Sequence, residues 1–192
     1  AALGAGATAV RKAPFLLASP SPNSKLAVAV IGCGGRGEVS LEAGLGERLV
    51  AIVDVDDTRL AAAAKKAAGQ GVRPRTFYDY RQMFDVMHKE IDVVLVATPD
   101  HHHAPASMRA IKLGKHVFCE KPLATTRQHC LDIVAARRRH PDKEFVVGFV
   151  LRYSAFYRTM KQWIDEGRLG DLISMEFNET LAPFHGAAMH GN

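Results

Sequence analysis

The stretch LAVAVIGCGGRG, residues 26–37, joins an apolar run to a glycine-rich turn. Leu26–Ile31 is a continuous β-prone run, as expected of a strand that is buried on both faces of a parallel sheet. The turn that follows has the spacing G-x-G-x-x-G. Between a strand and a helix, this spacing is typical of a dinucleotide-binding site.

Each residue of the turn has a separate task in that interpretation. Gly32 permits the tight turn, Gly34 lets a pyrophosphate approach the backbone, and Gly37 lets the helix pack closely on the strand. Gly35 and Arg36 complete the turn, and the free N–H groups at the start of the helix would face the phosphates. A purely structural turn is the alternative.

A carboxylate near the end of the next strand predicts which dinucleotide binds. Asp54 follows Gly32 by about 20 residues, where the acid that binds the adenosine ribose is expected. Its carboxylate would accept hydrogen bonds from the ribose 2′-hydroxyl and repel a 2′-phosphate. We therefore expect NAD as the cofactor, with NADP less favoured. An ordinary aspartate at a strand end is the alternative.

Strands and helices alternate over residues 25–150. The predicted elements after Leu26–Ile31 are a helix over Gly35–Leu45, strand Leu49–Val55, a helix capped by Asp56 or Asp57 and ended by Gly69, strand Arg75–Tyr78, helix Tyr80–His88, strand Asp92–Ala97, helix Ala104–Leu113, strand His116–Cys119, helix Thr126–Arg139 and strand Phe145–Val150. This rhythm predicts an α/β fold, a doubly wound parallel sheet of the Rossmann type, in one domain over residues 25–150.

The pattern changes after Val150. A helix is predicted over Phe156–Glu166, and Leu172–Thr180 then alternates apolar and polar residues, as a half-exposed strand does. We interpret residues 151–192 as the incomplete start of an α+β second domain for substrate binding and oligomerisation.

The first 24 residues differ from the rest in composition. They begin AALGAGATAV, which contains A-x-A patterns acceptable as cleavage sites, and residues 19–24 are rich in Ser and Pro. We interpret residues 1–24 as the remnant of an export signal followed by a linker. A disordered leader rich in Ala and Gly is the alternative.

Composition argues against several classes of protein. Hydrophobic residues make up 47% of the chain and charged residues 23%, as in ordinary globular proteins. No apolar run approaches the ~20 residues of a membrane span. The basic cluster Arg137–Arg139 lies at a predicted helix end and lacks the interleaved aromatics of a nucleic-acid surface, so we expect no nucleic-acid partner. Cys33, Cys119 and Cys130 have neither zinc nor disulfide spacing, and buried free thiols are expected.

Polar residues follow the fourth and fifth predicted strands, where open α/β sheets bind their ligands. Thr98-Pro99-Asp100 follows the fourth strand and Glu120-Lys121-Pro122 the fifth. Pro122 disfavours helical geometry at Lys121. Lys121 could donate to a substrate hydroxyl or act as a general acid–base. A surface lysine in a turn is the alternative.

Three consecutive histidines follow Asp100. Consecutive imidazoles diverge, and no Cys or Asp stands at a zinc-ligand spacing, so we expect no metal. Their position at the mouth of the sheet instead suits contact with cofactor or substrate, for which we select His101 and His103.

The glycine turn, TPDHHH and EKP in this order resemble the Gfo/Idh/MocA oxidoreductases, relatives of glucose–fructose oxidoreductase and inositol 2-dehydrogenase. The similar stretches cover residues 25–180 and are VAVIGCGGRG, VDVD, ATPDHHHAPASMRAIKLGKHVFCEKPLATT and GFVLRYSAFYRTMKQWIDEGRLGDLISMEF. The resemblance implies cofactor contacts at the glycine turn, Asp54, Thr98, Asp100, His101 and Glu120. It also implies that Lys121 lies beside the nicotinamide and the substrate, and that Arg152 lies near the nicotinamide.

The resemblance further implies an NAD-dependent oxidoreductase that acts on a sugar, a polyol or a related carbohydrate by hydride transfer. The lysine's usual partners in the family belong to the second domain and would lie beyond Asn192, so we expect the isolated chain to bind NAD without turnover. The alternatives are an NAD-dependent glycosidase of the same fold and a non-catalytic nucleotide-binding fragment.

Two further expectations concern the whole protein. The leader resembles the end of a twin-arginine export signal, which implies an exported or periplasmic protein, with a cytoplasmic one as the alternative. We also expect the full-length form to be a homo-oligomer.

Overall fold

The computed structural model describes residues 25–178, which divide into two units, one up to Gly148 and one from Phe149. The strands are β1 (Ala27–Ile31), β2 (Arg48–Val53), β3 (Arg75–Phe77), β4 (Val93–Val96), β5 (His116–Glu120) and β6 (Phe145–Gly148). The helices are α1 (Gly37–Gly46), α2 (Asp57–Gly69), α3 (Tyr80–Met87), α4 (Asp100–Lys112), α5 (Arg127–Arg138) and α6 (Ala155–Asp165).

The first unit contains one parallel sheet with the strand order β3-β2-β1-β4-β5-β6. The order reverses at β1, because the chain first builds outward through β2 and β3 and then returns to the other side of β1. Ile31, the last residue of β1, is in register with Val53 of β2 and Val96 of β4. The three central strands therefore end side by side, and the predicted doubly wound Rossmann fold is confirmed.

Alternation along the central strand separates two layers of core. Val28 and Val30 of β1 belong to the layer that packs against α1 and α2. Ala29 and Ile31 belong to the layer that packs against α3, α4 and α5. All five residues of β1 are buried, which explains why the sequence shows an unbroken apolar run there.

Side-chain caps fix the start of three helices. The Asp56 carboxylate accepts hydrogen bonds from the backbone N–H groups of Thr58 and Arg59, at 2.8 and 3.0 Å, so Asp56 rather than Asp57 caps α2. Asp79 caps α3 and Thr126 caps α5 in the same way. Each such cap satisfies a donor that the helix itself leaves unpaired.

Helix α1 was predicted to begin two residues too early and strand β2 to end two residues too late, and boundaries of α4 and β6 were wrong as well. Helix α4 begins at Asp100, four residues before the predicted Ala104, because Pro99 takes the position before the first turn and the three histidines continue the helix. Strand β6 ends at Gly148 rather than Val150, since a 3₁₀ turn already occupies Val150–Tyr153.

The predicted strand Leu172–Thr180 was also wrong for the residues that the structure describes. Residues 172–178 belong to no helix or strand, and Ile173 is 98% exposed. A strand needs a neighbour to accept and donate its backbone hydrogen bonds, and within residues 25–178 this segment has none.

Some expectations fall outside this part of the chain. The leader and linker of residues 1–24 lie outside the described residues, as do residues 179–192. Between residues 25 and 178, no helix combines the length and the apolar character that a membrane span requires.

Candidate functional site

In the glycine turn between β1 and α1, backbone atoms of different segments pack directly against one another. Gly32 has a φ of +88°, and its N–H donates to the carbonyl of Val53 at 2.8 Å. A Cβ on Gly37 would lie 2.1 Å from the Gly32 carbonyl oxygen, so only glycine lets α1 start this close to the strand. The backbone N–H groups of residues 34–36 donate to no acceptor among the described residues.

Asp54 connects the end of β2 to this turn. Its side chain is buried, and its Oδ2 accepts a hydrogen bond from the N–H of Cys33 at 2.7 Å. Its Oδ1 accepts a second from the N–H of Asp56 at 3.0 Å. Each carboxylate oxygen has further acceptor capacity, so the group can hold the turn and still receive a hydroxyl from a ligand.

A cavity of about 620 Å³ lies at the carboxyl ends of the central strands. Five residues selected from the sequence line it, namely Gly32, Gly34, Asp54, Thr98 and His101. Its position outside the strand ends, where the strand order reverses, is the position of ligand sites in open α/β sheets.

Much of the wall of this cavity was not predicted from the sequence. The additional polar and aromatic lining residues are Asp56, Arg59, Tyr78, Asp79, Tyr80, Arg81 and His102. Four of them, residues 78–81, directly follow β3 and therefore lie at the same edge of the sheet. Their place after the carboxyl end of a strand is the same signal that selected residues after β4 and β5.

The cavity combines flat rings with charges. Tyr80 and His102 meet edge to face with ring centroids 6.4 Å apart, and the Arg81 guanidinium lies 5.0 Å from the Tyr80 ring centre. Such rings offer surfaces against which a planar base can pack. Arg59 lines the wall near Gly34 and adds a positive charge.

Thr98 supplies an unpaired polar atom to the site. Its Oγ1 is buried and has no hydrogen-bond partner among the described residues. Buried hydroxyls normally have partners, so an unpaired one beside a cavity is consistent with a bond that a ligand completes.

Glu120 is the last residue of β5, which β4 separates from β1, and it forms an ion pair with Arg36 of the glycine turn. Its side chain is buried and accepts a hydrogen bond from Nε of Arg36 at 2.9 Å. The adjacent Lys121 is exposed. Neither Glu120 nor Lys121 belongs to the cavity wall, although β5 lies beside β4 in the sheet.

The remaining selected residues occupy three different settings. Asp100 is exposed in the first turn of α4 and does not line the cavity. His103 is buried, and both of its ring nitrogens face main-chain carbonyl oxygens. Arg152 belongs to the second unit, where its guanidinium lies 5.1 Å from the ring centre of Phe149.

The histidine run forms no ligand cluster. Among residues 25–178, no three His, Cys, Asp or Glu side chains converge as a metal site would require.

The cysteines are all free, but only two are buried. Burial raises the pKa of Cys33 to about 12, with a further contribution from the Asp54 charge. Burial likewise raises the pKa of Cys119 to about 11. Cys130 is partly exposed, which corrects the expectation of three buried thiols.

The residues of this edge fit a dinucleotide. The turn offers N–H groups and a helix start to a pyrophosphate, the Asp54 carboxylate suits a ribose hydroxyl, and the ring-lined wall suits a base. Gly34 keeps the turn free of a side chain that would occupy the space beside Arg59.

Comparison with known proteins agrees with this assignment. Residues 26–149 match the family model of the Gfo/Idh/MocA proteins, described as an oxidoreductase family with an NAD-binding Rossmann fold. The chain is 36% identical over 149 residues to inositol 2-dehydrogenase of Ralstonia nicotianae, covering 76% of this chain and 43% of the relative. It is 37% identical over 152 residues to inositol 2-dehydrogenase 2 of Saccharopolyspora erythraea, covering 77% and 43%.

Solved structures show the same relationship. A crystal structure of myo-inositol 2-dehydrogenase from Lactobacillus plantarum superimposes with a TM-score of 0.68 at 31% identity, covering 78% of this chain and 43% of that one. Scyllo-inositol dehydrogenase from Lactobacillus casei, solved with NAD(H) and scyllo-inositol, gives 0.67 at 28% identity, covering 77% and 43%. The chain thus spans less than half the length of the relatives it matches. It belongs to the Gfo/Idh/MocA oxidoreductase family.

Proposed function

We propose that this chain is the nucleotide-binding part of an NAD-dependent dehydrogenase that oxidises a polyol of the inositol type. The observation that carries the proposal is the Asp54 carboxylate, which is bonded to the glycine turn and borders the cavity at the strand ends. Bound NAD would accept a hydride from the carbon that bears the substrate hydroxyl. The four relatives named above are all inositol dehydrogenases, which supports the choice of substrate class.

The residues at the strand ends would contact different parts of the cofactor. Residues 34–36 would donate backbone N–H groups to the pyrophosphate, and Thr98 and His101 would contact the nucleotide from the cavity wall. The ion pair between Arg36 and Glu120 would hold the turn in place. The proposed cofactor contacts of Asp100 and Arg152 rest on the family resemblance.

Lys121 is the residue that we propose to handle the proton. In the oxidation, the neutral amine of Lys121 would accept the proton of the substrate hydroxyl as the hydride leaves for NAD. The ammonium group so formed would return a proton to the carbonyl oxygen in the reverse reaction. Its exposed position directly after β5 leaves it free to meet a substrate.

Cofactor preference gives the first test. We expect the chain to bind NAD at least tenfold more tightly than NADP in calorimetric titrations, because the Asp54 carboxylate repels a 2′-phosphate. Asp54→Ser should reduce the ratio of the Kd for NADP to the Kd for NAD. Its matched control is Asp85→Ser, which removes an exposed carboxylate that pairs with Arg109. Equal or tighter binding of NADP by the unaltered chain would contradict the assignment.

Lys121 gives the second test, in the protein joined to its substrate-binding part. Lys121→Ala should reduce kcat for inositol oxidation at least a hundredfold and leave the Kd for NAD within about threefold, because only an interaction made during the reaction is lost. Lys112→Ala removes an exposed lysine from the far end of α4 and should leave both values unchanged. Wild-type turnover in Lys121→Ala would remove Lys121 from the mechanism.

The expectations for the whole protein stay predictions. They are export through a twin-arginine signal, a homo-oligomeric full-length form, and an isolated chain that binds NAD without turnover.

A further inference from the structure

His103 is a buried polar side chain that direct contact with a cofactor does not explain. It is 1% exposed. Its Nδ1 lies 2.6 Å from the carbonyl oxygen of Pro122, and its Nε2 lies 2.8 Å from the carbonyl oxygen of Thr98. Both ring nitrogens are thus engaged with the protein itself, and neither is free for a ligand in this structure.

The two carbonyls belong to the two loops that carry the proposed chemistry. Thr98 follows β4 and lines the cavity, and Pro122 follows Lys121 after β5. The two strands are neighbours, with Val96 in register with Cys119. His103 stands in the first turn of α4, between the loops, and links them across the edge of the sheet.

The chemistry of the link follows from its partners. A carbonyl oxygen only accepts hydrogen bonds, so the ring must donate. A neutral imidazole donates to only one of the two carbonyls, and the shorter contact, that of Nδ1 with Pro122, assigns the proton to Nδ1 in our interpretation. A doubly protonated imidazole donates to both carbonyls. Because the ring is buried, a carbonyl left without its donor would lose a bond that water cannot easily replace.

Lys121 is therefore anchored on both sides while its own side chain is exposed. On its N-terminal side, the Glu120 carboxylate is held by Arg36 of the glycine turn. On its C-terminal side, the Pro122 carbonyl is held by His103. An exposed residue between two anchored neighbours has a fixed backbone, which is what a proton-handling group needs.

We propose that His103 is a positioning residue that fixes the backbone of Lys121 relative to the nucleotide loop at Thr98. The inference rests on the proposed role of Lys121. It assigns His103 an action through the two loops in place of a direct contact with the cofactor.

Two amide variants separate this role from simple packing. In His103→Asn the side-chain amide lies where Nδ1 lies and can keep the bond to Pro122. In His103→Gln it reaches the place of Nε2 and can keep only the bond to Thr98. Both remove the ring, so a role in packing alone would affect them alike. His103→Phe keeps a ring of similar shape and loses both bonds.

The measurement is the backbone order of the Lys121 amide by ¹⁵N relaxation of the 192-residue chain, without nucleotide. We expect an order parameter of about 0.85 in the unaltered chain and in His103→Asn, and below about 0.6 in His103→Gln and His103→Phe. His88→Phe is the matched control, since His88 also places Nδ1 near a carbonyl, that of Phe84, but at the end of α3. It should leave the order of Lys121 unchanged.

The same samples separate this inference from the proposed function. Equal order of Lys121 in His103→Asn and His103→Gln, whether high or low, would overturn the positioning role, and this result does not depend on any nucleotide. Addition of NAD to the unaltered chain should then shift the Lys121 amide resonance. NAD binding with no shift there would contradict the proposed function of Lys121 and leave the positioning result standing.

Discussion

At the scale of single residues, burial separates the three cysteines by reactivity. The thiolate is the reactive form of cysteine, and a pKa of about 12 leaves only ~10⁻⁴ of the Cys33 thiol ionised at pH 8. For Cys119, with a pKa of about 11, the fraction is ~10⁻³. Both thiols also lie in the core, out of reach of a reagent.

We therefore expect one fast-reacting thiol, that of Cys130, when the native chain is titrated with a thiol reagent at pH 8. Cys130→Ser should abolish the fast phase, and Cys33→Ser should leave it intact. Cys33 and Cys119 should stay slow up to about pH 10, because burial both raises their pKa values and keeps the reagent away from them. Rapid labelling of Cys33 at pH 8 would contradict the burial of its thiol within the glycine turn.

At the same scale, the sequence could predict the residues whose identity is set by backbone geometry. Gly32 and Gly37 are recognisable because a strand, a tight turn and a helix start leave no space for a Cβ. Tyr80 and His102 were missed, because an aromatic ring that lines a cavity obeys the same spacing as one that fills a core. The position of Tyr80 shortly after a predicted strand pointed to the edge of the sheet, and the sheet order, which places β3 beside β2, shows that the loop after β3 reaches the site.

At the scale of elements, the close packing of α1 against the turn after β1 can be tested by substitution. Gly37→Ala would place its Cβ 2.1 Å from the Gly32 carbonyl oxygen, a backbone atom that cannot move aside. We expect a loss of about 1–3 kcal/mol of stability, as for other overpacked cores, and a large loss of NAD affinity as the turn shifts. Thermal unfolding and calorimetry measure the two effects.

The matched control for this prediction lies in the same helix. A Cβ on Gly46, at the end of α1, would meet nothing within 4 Å, and its φ is not in the left-handed region. Gly46→Ala should therefore leave stability unchanged or raise it by up to ~1 kcal/mol. A Gly37→Ala protein as stable as Gly46→Ala would show that the helix does not start where the structure places it.

The elements differ in how well their sequence predicts them. Buried parallel strands such as β1 and β4 are predictable to within one or two residues, because apolar runs are required on both faces. The start of α4 was mispredicted, since polar histidines after a proline look like a loop although they continue a helix. The segment 172–178 has the alternation of a strand, but alternation cannot supply the neighbour that pairing requires.

At the scale of the whole molecule, the first unit contains the whole cavity wall and every proposed cofactor contact except Arg152. The two core layers close on both faces of the sheet, and every lining residue of the cavity lies before Gly148. A ligand that binds only the folded state raises stability by RT ln(1 + [L]/Kd), about 2.7 kcal/mol at a hundredfold excess over Kd. NAD should therefore stabilise the first unit in particular.

Limited proteolysis tests this expectation along the chain. Residues 172–178 pair with no strand in the described structure and expose Ile173, Met175 and Phe177, so a protease that cuts after apolar residues should cleave there first. NAD should slow later cleavage within residues 25–148 in proportion to its stabilisation and leave the first cut unchanged, because that segment contributes nothing to the cavity. Peptide mass mapping over time, with NADP as a weaker ligand and no nucleotide as the control, follows both rates. If NAD slowed cleavage within residues 172–178 as much as cleavage within the sheet, this segment would have to fold onto the nucleotide, and the site would extend past the first unit.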